Sequence, residues 1–401
     1  MNGILYISYD GMLEPLGQSQ VLEYLLRLAK TNRIFLVSFE KSGDWKDRQG
    51  RVALKRKTVD AGIRWYALRY HKRPAVLSTA YDILAGFFLS FFICISKGVK
   101  IIHARSYVPA IPAYLLKKIL GIKFIFDMRG FWADERVDAG IWSKKSRLYL
   151  IAKWFERKFL ISADAIISLT EAGVKILKNF DYLKDARKDF FVIPTCVNME
   201  KFKFTGNTQL SLDSGFTLGY CGSVRSWYIF DPVLRIFNAL RRIHPETRLT
   251  ILNHGEHRYI NSRLEAMGVD PVNVELRSAA FADIPFEMRK MDAGIFFIKK
   301  VFSKQGSMPT KLAEFLACGV PCLCNDYVPD IKQLLVNKGI GVILEDFNEI
   351  DYVNTAKSIW ELAHQPGIKQ KCSLAAKECF SLDKGVLIYN SVYSRLSTSA
   401  K

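Results

Sequence analysis

The chain has 401 residues, with 58 Lys and Arg against 39 Asp and Glu, a formal net charge of +19. That length exceeds one ordinary domain of roughly 100–200 residues, and 49% hydrophobic with 24% charged residues excludes a disordered or low-complexity protein. Residues 1–200 hold 33 Lys and Arg against 19 Asp and Glu, a balance of +14 that leaves +5 for the rest, so a polyanionic partner is expected for the N-terminal half.

Short apolar runs alternate with longer helical patterns, which predicts a parallel α/β architecture. Strands are predicted at 4–10, 33–39, 63–68, 100–104, 123–127, 165–169 and 190–194, with helices at 107–120 and 144–162 and an amphipathic one carrying Val21, Leu25, Leu26 and Leu28. A polar linker around 205–215 precedes a second series at 216–222, 248–252, 273–277, 293–298, 320–324 and 341–345. A last helix at 383–396 carries Val386, Leu387, Tyr389, Val392 and Tyr393 on one side.

Residues 83–96, ILAGFFLSFFICIS, are uncharged and apolar. Fourteen residues are fewer than the roughly 20 a bilayer crossing needs, so a buried or interfacial helix is expected. Its basic flanks, His71, Lys72, Arg73, Lys97 and Lys100, suit an anionic leaflet. The eight cysteines show no zinc spacing, and no secretory signal is expected. Reduced, buried thiols in a cytoplasmic protein are the expectation.

GSMPTKLAEFLACGVPCLCN, residues 306–325, reads as a nucleotide-diphosphate site. Pro309 suits the first turn of a helix; Leu312, Phe315 and Leu316 give it one apolar face, and Gly319 stops it. Small residues Gly306 and Ser307 precede it, so backbone N–H groups can approach an anion at the positive end of the helix dipole. Lys311 in the first turn is a poor structural choice but a good one beside phosphates, and Glu314 is placed to accept from ribose hydroxyls.

This segment resembles the C-terminal signature of the group 1 (family four) glycosyltransferases. Glu314 matches the second carboxylate of that signature, and Ala317, Gly319 and Pro321 match the Ala–x–Gly–x–Pro run, whereas Gly306 stands where the first carboxylate belongs. The resemblance implies a GT-B type α/β fold, two Rossmann-like domains facing across a cleft. Residues 1–203 would form the acceptor-side domain, with the C-terminal helix 381–401 crossing back, and 204–380 the donor-binding domain. It extends to ISYDGMLEPLGQSQVLEYL (7–25), to IIHARSYVPA (101–110), to FDMRGFWADERVDAGIW (126–142) and to GYCGSVRSWYIFDPVLR (219–235).

The donor candidates are Gly17, Gly222, Ser223, Arg225, Ser307, Pro309, Thr310, Lys311, Leu312 and Glu314. The catalytic candidates are Arg129, Asp127, His103, Arg225 and Lys311. Arg129 stands where the family carries a His that touches the donor sugar; an Arg stays protonated, so it binds hydroxyls or stabilises charge and does not act as a base. Asp127, Asp134, Glu135 and Arg105 are candidates for the acceptor. The family's Lys after Arg225 is missing, with Trp227 and Tyr228 in its place, and Lys311 is the expected substitute. No Asp–x–Asp triplet occurs, so no cofactor and no metal are expected beside the nucleotide-sugar co-substrate.

The expected protein is a retaining hexosyltransferase, cytoplasmic and peripheral on the inner face of the plasma membrane. It would move a sugar from a nucleotide-diphosphate sugar to a lipid-linked glycan in capsule, O-antigen or exopolysaccharide synthesis. The alternatives are a non-hydrolysing sugar-nucleotide epimerase, a nucleic-acid-binding protein, and a catalytically inactive glycan-binding protein. The dispersed basic residues and the absence of a recognition motif argue against nucleic acid as a partner.

Overall fold

The computed structural model describes residues 3–184, 186–206 and 215–398. The chain divides into two units, Met1–Pro194 with Leu382–Lys401, and Thr195–Ser381. The boundary falls at Pro194 and not at 203. Thr195 Oγ1 donates to the Met308 carbonyl at 2.9 Å and the Val197 N–H to the Phe380 carbonyl at 2.8 Å, which ties the segment after Pro194 into the second unit. Residues 207–214 of the expected linker lie outside the described residues.

In the first unit, β1 (Gly3–Ser8), β2 (Arg33–Glu40), β3 (Arg64–Arg69), β4 (Ile101–Arg105), β5 (Lys123–Asp127), β6 (Ala165–Ser168) and β7 (Phe190–Val192) form one parallel sheet, ordered β3-β2-β1-β4-β5-β6-β7. β1, β4 and β6 are buried along their whole length, as strands covered on both faces must be; β1 and β6 are mostly apolar, whereas β4 carries the buried His103 and Arg105 toward its end. Crossovers from β3 through to β6 all progress in one direction across the sheet. Right-handed connections therefore put helices Ala75–Lys97, Tyr107–Leu120 and Arg147–Ser162 on the same face. Their inner residues, Ile93, Ala110 and Phe159 among them, close a core with Leu5, Phe35, Phe124 and Phe126. The last helix, Leu382–Thr398, packs against Glu23–Leu28 and buries Tyr389, Val392 and Tyr393.

The second unit repeats the scheme with β8 (Thr217–Cys221), β9 (Arg248–Leu252), β10 (Val274–Arg277), β11 (Ala293–Ile295), β12 (Cys322–Asn325) and β13 (Gly341–Leu344), ordered β10-β9-β8-β11-β12-β13. Strand order reverses between β8 and β11, and a ligand crevice in such a sheet lies beyond the carboxyl ends of the strands at that point. The helix Thr310–Ala317 follows β11, seated on it because Gly294 leaves room for the Phe315 ring; a Cβ at Gly294 would lie 2.7 Å from that ring.

Pro309 is not the first helical residue. Its ψ of 132° makes it an extended N-cap, and the helix opens at Thr310, because the Met308 carbonyl is held by Thr195 outside the helical path. The apolar helix expected at 83–96 is also longer, Ala75–Lys97, 23 residues, long and apolar enough by length and composition to cross a membrane.

Candidate active site

At the switch point of the second unit, β8 ends in Cys221-Gly222-Ser223. Gly222 has φ +97°, a conformation that side chains other than glycine rarely adopt. The chain then turns at Ser226 and pairs with the segment leaving β11: Ile229 N–H donates to the Phe297 carbonyl and Lys299 N–H to the Trp227 carbonyl, both at 2.9 Å. Asn325 clamps that segment by hydrogen bonds to both the N–H and the carbonyl of Ile298, at 2.8 and 2.9 Å. The pairing fixes Trp227 and Tyr228 beside the start of helix Thr310–Ala317.

Lys311 lies in the first turn of that helix and is only 6% exposed. Its Nζ has no hydrogen-bond partner. It sits 3.7 Å from the Tyr228 ring centre, 4.6 Å from Tyr220 and 5.9 Å from Phe296, and a Cβ on Gly222 would stand 3.4 Å from it. Burial drives the ammonium down to about 8, against the pull of Cys221, Glu314 and Glu256. A buried ammonium without a hydrogen-bond acceptor costs free energy that ring faces only partly offset. Pro309 offers no side-chain oxygen to cap the amides of Thr310 and Lys311, so the helix adds its N-terminal dipole at the same place.

Glu314, one turn on, is half-buried; burial pushes its carboxyl up to about 7, opposed by Lys311. Ser307 lies half-buried ahead of the helix and Ser223 is exposed. Arg225 is exposed too, with its guanidinium 4.9 Å over the Tyr259 ring. Leu312 is a core residue, fully buried, with its amide given to the Pro309 carbonyl at 3.3 Å. That removes it as a direct donor contact. Sequence reasoning missed Lys304, which is buried with its Nζ 3.9 Å over the Trp227 ring. The signal was the Trp-Tyr pair itself, because each ring carries one lysine from a distant segment. Glu256 was missed as well. Its Oε2 accepts from the Val224 N–H and from Asn253 Nδ2, both at 2.9 Å, which fixes the loop after Gly222.

In the first unit, the carboxyl ends of β4 and β5 bring His103, Arg105, Asp127 and Arg129 together. His103 and Asp127 are fully buried. Asp127 Oδ2 accepts from the Tyr389 hydroxyl at 2.8 Å, and His103 Nδ1 is 2.7 Å from the Tyr393 hydroxyl. Burial raises the Asp127 carboxyl, but Arg129, His103 and Arg105 outweigh it and hold it at about 2. Burial lowers His103, with Arg105 and Arg129 adding to the effect against Asp127. A neutral imidazole and an ionised carboxylate result, and neither reaches solvent, which corrects the expectation that these two would meet a substrate directly. Arg129, mostly buried, is the outermost of the pair it forms with Asp127: its Nη1 lies 4.0 Å from Asp127 Oδ1, both without hydrogen bonds. Its φ of +56° is a strained conformation for an arginine. Arg105 is buried and paired with Asp10 at 3.3 Å.

Two other expectations are corrected. Gly17 makes its close approach to the chain itself, since a Cβ there would lie 1.8 Å from the Gly11 carbonyl oxygen. Asp134 is buried, accepts from Tyr149 at 2.9 Å and pairs with Lys153 at 3.0 Å, so it belongs to an internal network. Glu135, half-buried in the same helix, Trp132–Asp138, stays nearer the surface. Cys94, Cys221, Cys318, Cys322, Cys324 and Cys372 are buried free thiols, and Cys196 is buried as well.

Residues 34–187 match the family model of the glycosyl transferase 4-like domain. No curated protein matches the chain. Among solved structures, sucrose-phosphate synthase from Thermosynechococcus elongatus is similar over 100% of both chains at 13% identity, with a TM-score of 0.74. HepE from Anabaena, solved in complex with UDP, is similar over 98% of this chain and 100% of its own, at 14% identity and a TM-score of 0.66. A putative UDP-N-acetylglucosamine 2-epimerase from Listeria monocytogenes follows at 12% identity over 99% and 97%, with a TM-score of 0.62. Two parallel-sheet Rossmann-like units with these likenesses define a GT-B type of fold. Within it, 34–187 is the stretch that matches the glycosyl transferase 4-like domain.

Proposed function

We propose that this protein is a retaining glycosyltransferase that moves a hexose from a nucleotide-diphosphate sugar to a lipid-linked glycan, in the synthesis of capsule, O-antigen or exopolysaccharide. The observation that carries the reading is the buried, unpaired Lys311 ammonium at the opening of helix Thr310–Ala317, against Gly222. The match of 34–187 to a glycosyl transferase 4-like domain and the likeness to a structure holding UDP support it.

Breaking the bond between sugar and diphosphate leaves positive charge on the sugar and negative charge on the departing phosphate. Lys311 and the first-turn amides meet that negative charge without reorganising, and Arg225 stands on the exposed side of the same loop. One preorganised donor contributes about 3–4 kcal/mol to such a transition state. These charges are why the proposal needs no metal. Glu314 accepts from the ribose hydroxyls. Arg129 binds acceptor or sugar hydroxyls, while Asp127, held by Tyr389, positions it. Retention and same-face attack rest on the resemblance of residues 306–325.

The likeness to a 2-epimerase favours one rival, a sugar-nucleotide isomerase. The test is thermal stabilisation against UDP-, GDP- and ADP-sugars, then product analysis with the stabilising donor and a membrane lipid extract. Sugar transfer to lipid, with nucleoside diphosphate released, supports the proposal. Isomerised donor formed without acceptor replaces it with the rival.

A further inference from the structure

Helices Ala75–Lys97, Tyr107–Leu120 and Arg147–Ser162 form a continuous layer on one face of the first unit's sheet. The inner side of the first helix is polar or small at Ser78, Asp82, Gly86 and Ser90 and joins the core at Ile93 and Cys94. Asp82 accepts from the Tyr9 hydroxyl at 2.9 Å and from the His71 N–H at 3.1 Å, and a Cβ on Gly86 would lie 3.0 Å from the Phe39 ring. Its outer side is the reverse of an ordinary surface helix. Leu77, Tyr81, Leu84, Phe88, Phe92 and Ile95 recur at spacings of three and four, each between 56% and 70% exposed. The stripe continues on the neighbouring helices at Ile119, Leu150, Ile151 and Trp154, all more than half exposed.

Charge on this layer is one-sided. The three helices contain two carboxylates, Asp82 and Glu156, and both are buried; Glu156 accepts from the Tyr107 hydroxyl at 2.6 Å. The exposed charges are basic, with Lys118 and Arg157 on the helices and Lys144 and Lys145 just ahead of the third. Lys158 lies 5.3 Å over the Trp154 ring, an aromatic and a cation at one level. Apolar side chains in a row, ringed by cations and free of exposed anions, complement the surface of an anionic bilayer.

We propose that this three-helix face docks on an anionic phospholipid leaflet, with helix Ala75–Lys97 lying in the plane of the interface. The length of that helix would also permit crossing, but Asp82 and Gly86 bind it to the sheet, so lifting it out would unmake the core beneath. The docking surface stands independently of the sugar-transfer reading, and nucleotide binding, measured separately on every variant, keeps the two distinguishable.

The test is sedimentation of the full chain with vesicles of phosphatidylcholine, with and without phosphatidylglycerol. The wild type is expected to partition onto the anionic vesicles and release with salt. Leu84→Glu/Phe88→Glu/Phe92→Glu should lower partition by at least about a hundredfold. Lys118→Ala/Arg157→Ala should lower it by about fivefold per charge on anionic vesicles only. Circular dichroism checks folding, and Leu77→Glu alone serves where the triple variant fails to fold. Wild-type partition by the glutamate variants overturns the proposal, and so does equal wild-type binding to both vesicles. A variant that changes the oligomeric state while vesicle binding stays intact assigns the face to a second copy of the chain instead.

Discussion

The Nζ of Lys311 lies 3.7 Å from the centre of the Tyr228 ring, and it has no hydrogen-bond acceptor. In sequence the two are separated by β9, β10 and β11, and the fold brings them together at the switch point of the second sheet. The ring face holds the charge in place, and the glycine at 222 leaves room for the lysine to approach that loop.

A first consequence is a pH limit on binding. Lys311 titrates at about 8 in the free protein, so nucleoside diphosphate affinity is expected to fall as pH rises through 8. Binding should take up a proton there, because a phosphate restores the charged ammonium. Calorimetry in two buffers of different ionisation heat measures that uptake.

Glu314 gives a stability prediction of defined sign. Its folded carboxyl sits at about 7, above its ordinary value of 4.5, so the folded state keeps a proton that the unfolded state loses. Stability from this group is present below 4.5 and is lost as pH rises through 7. Glu314→Gln should flatten that decline, raising stability at pH 8 by about 1–3 kcal/mol. It should also narrow the preference for ribose over deoxyribose diphosphates. Urea denaturation at pH 5 and 8, with UDP and dUDP titrations, checks both.

Gly222→Ala places a methyl group beside Lys311 at a backbone angle of +97°. A stability loss of about 1–3 kcal/mol is expected from strain, with diphosphate affinity weakened beyond what that loss explains. Thermal melts with and without UDP separate the two effects.

In the first unit, Tyr389→Phe leaves Asp127 Oδ2 buried without its donor. The expected cost is about 1–3 kcal/mol. Asp127 is depressed to about 2, so its contribution is present above its ordinary value of 3.8 and is lost as pH falls through 2. Denaturation near neutral pH should therefore show the full deficit, and at pH 2 a reduced one.

The strand runs were legible because both-face burial writes itself as unbroken apolar sequence; 123–127 and 248–252 match β5 and β9 residue for residue. Lys311 and Glu314 stood out because a lysine opening a helix and a carboxylate one turn on serve no packing need. Lys304 stayed hidden, since only the pairing of 227–229 with 297–299 brings Trp227 beneath it. Gly17 misled for the opposite reason: a loop glycine signals close approach without saying to what. The outward stripe of Ala75–Lys97 was left between a buried and an interfacial helix, because a run apolar on most sides looks the same whether it is covered or bare.

The most direct measurement is titration of UDP, GDP and ADP into the wild type and Lys311→Met by calorimetry. Removing a buried, unpaired charge should leave the free protein as stable or more stable by about 1–3 kcal/mol, while affinity for the preferred diphosphate falls by roughly thirtyfold or more. Equal affinity in a folded Lys311→Met protein, or a wild type that binds none of the three, would contradict a diphosphate site at Lys311.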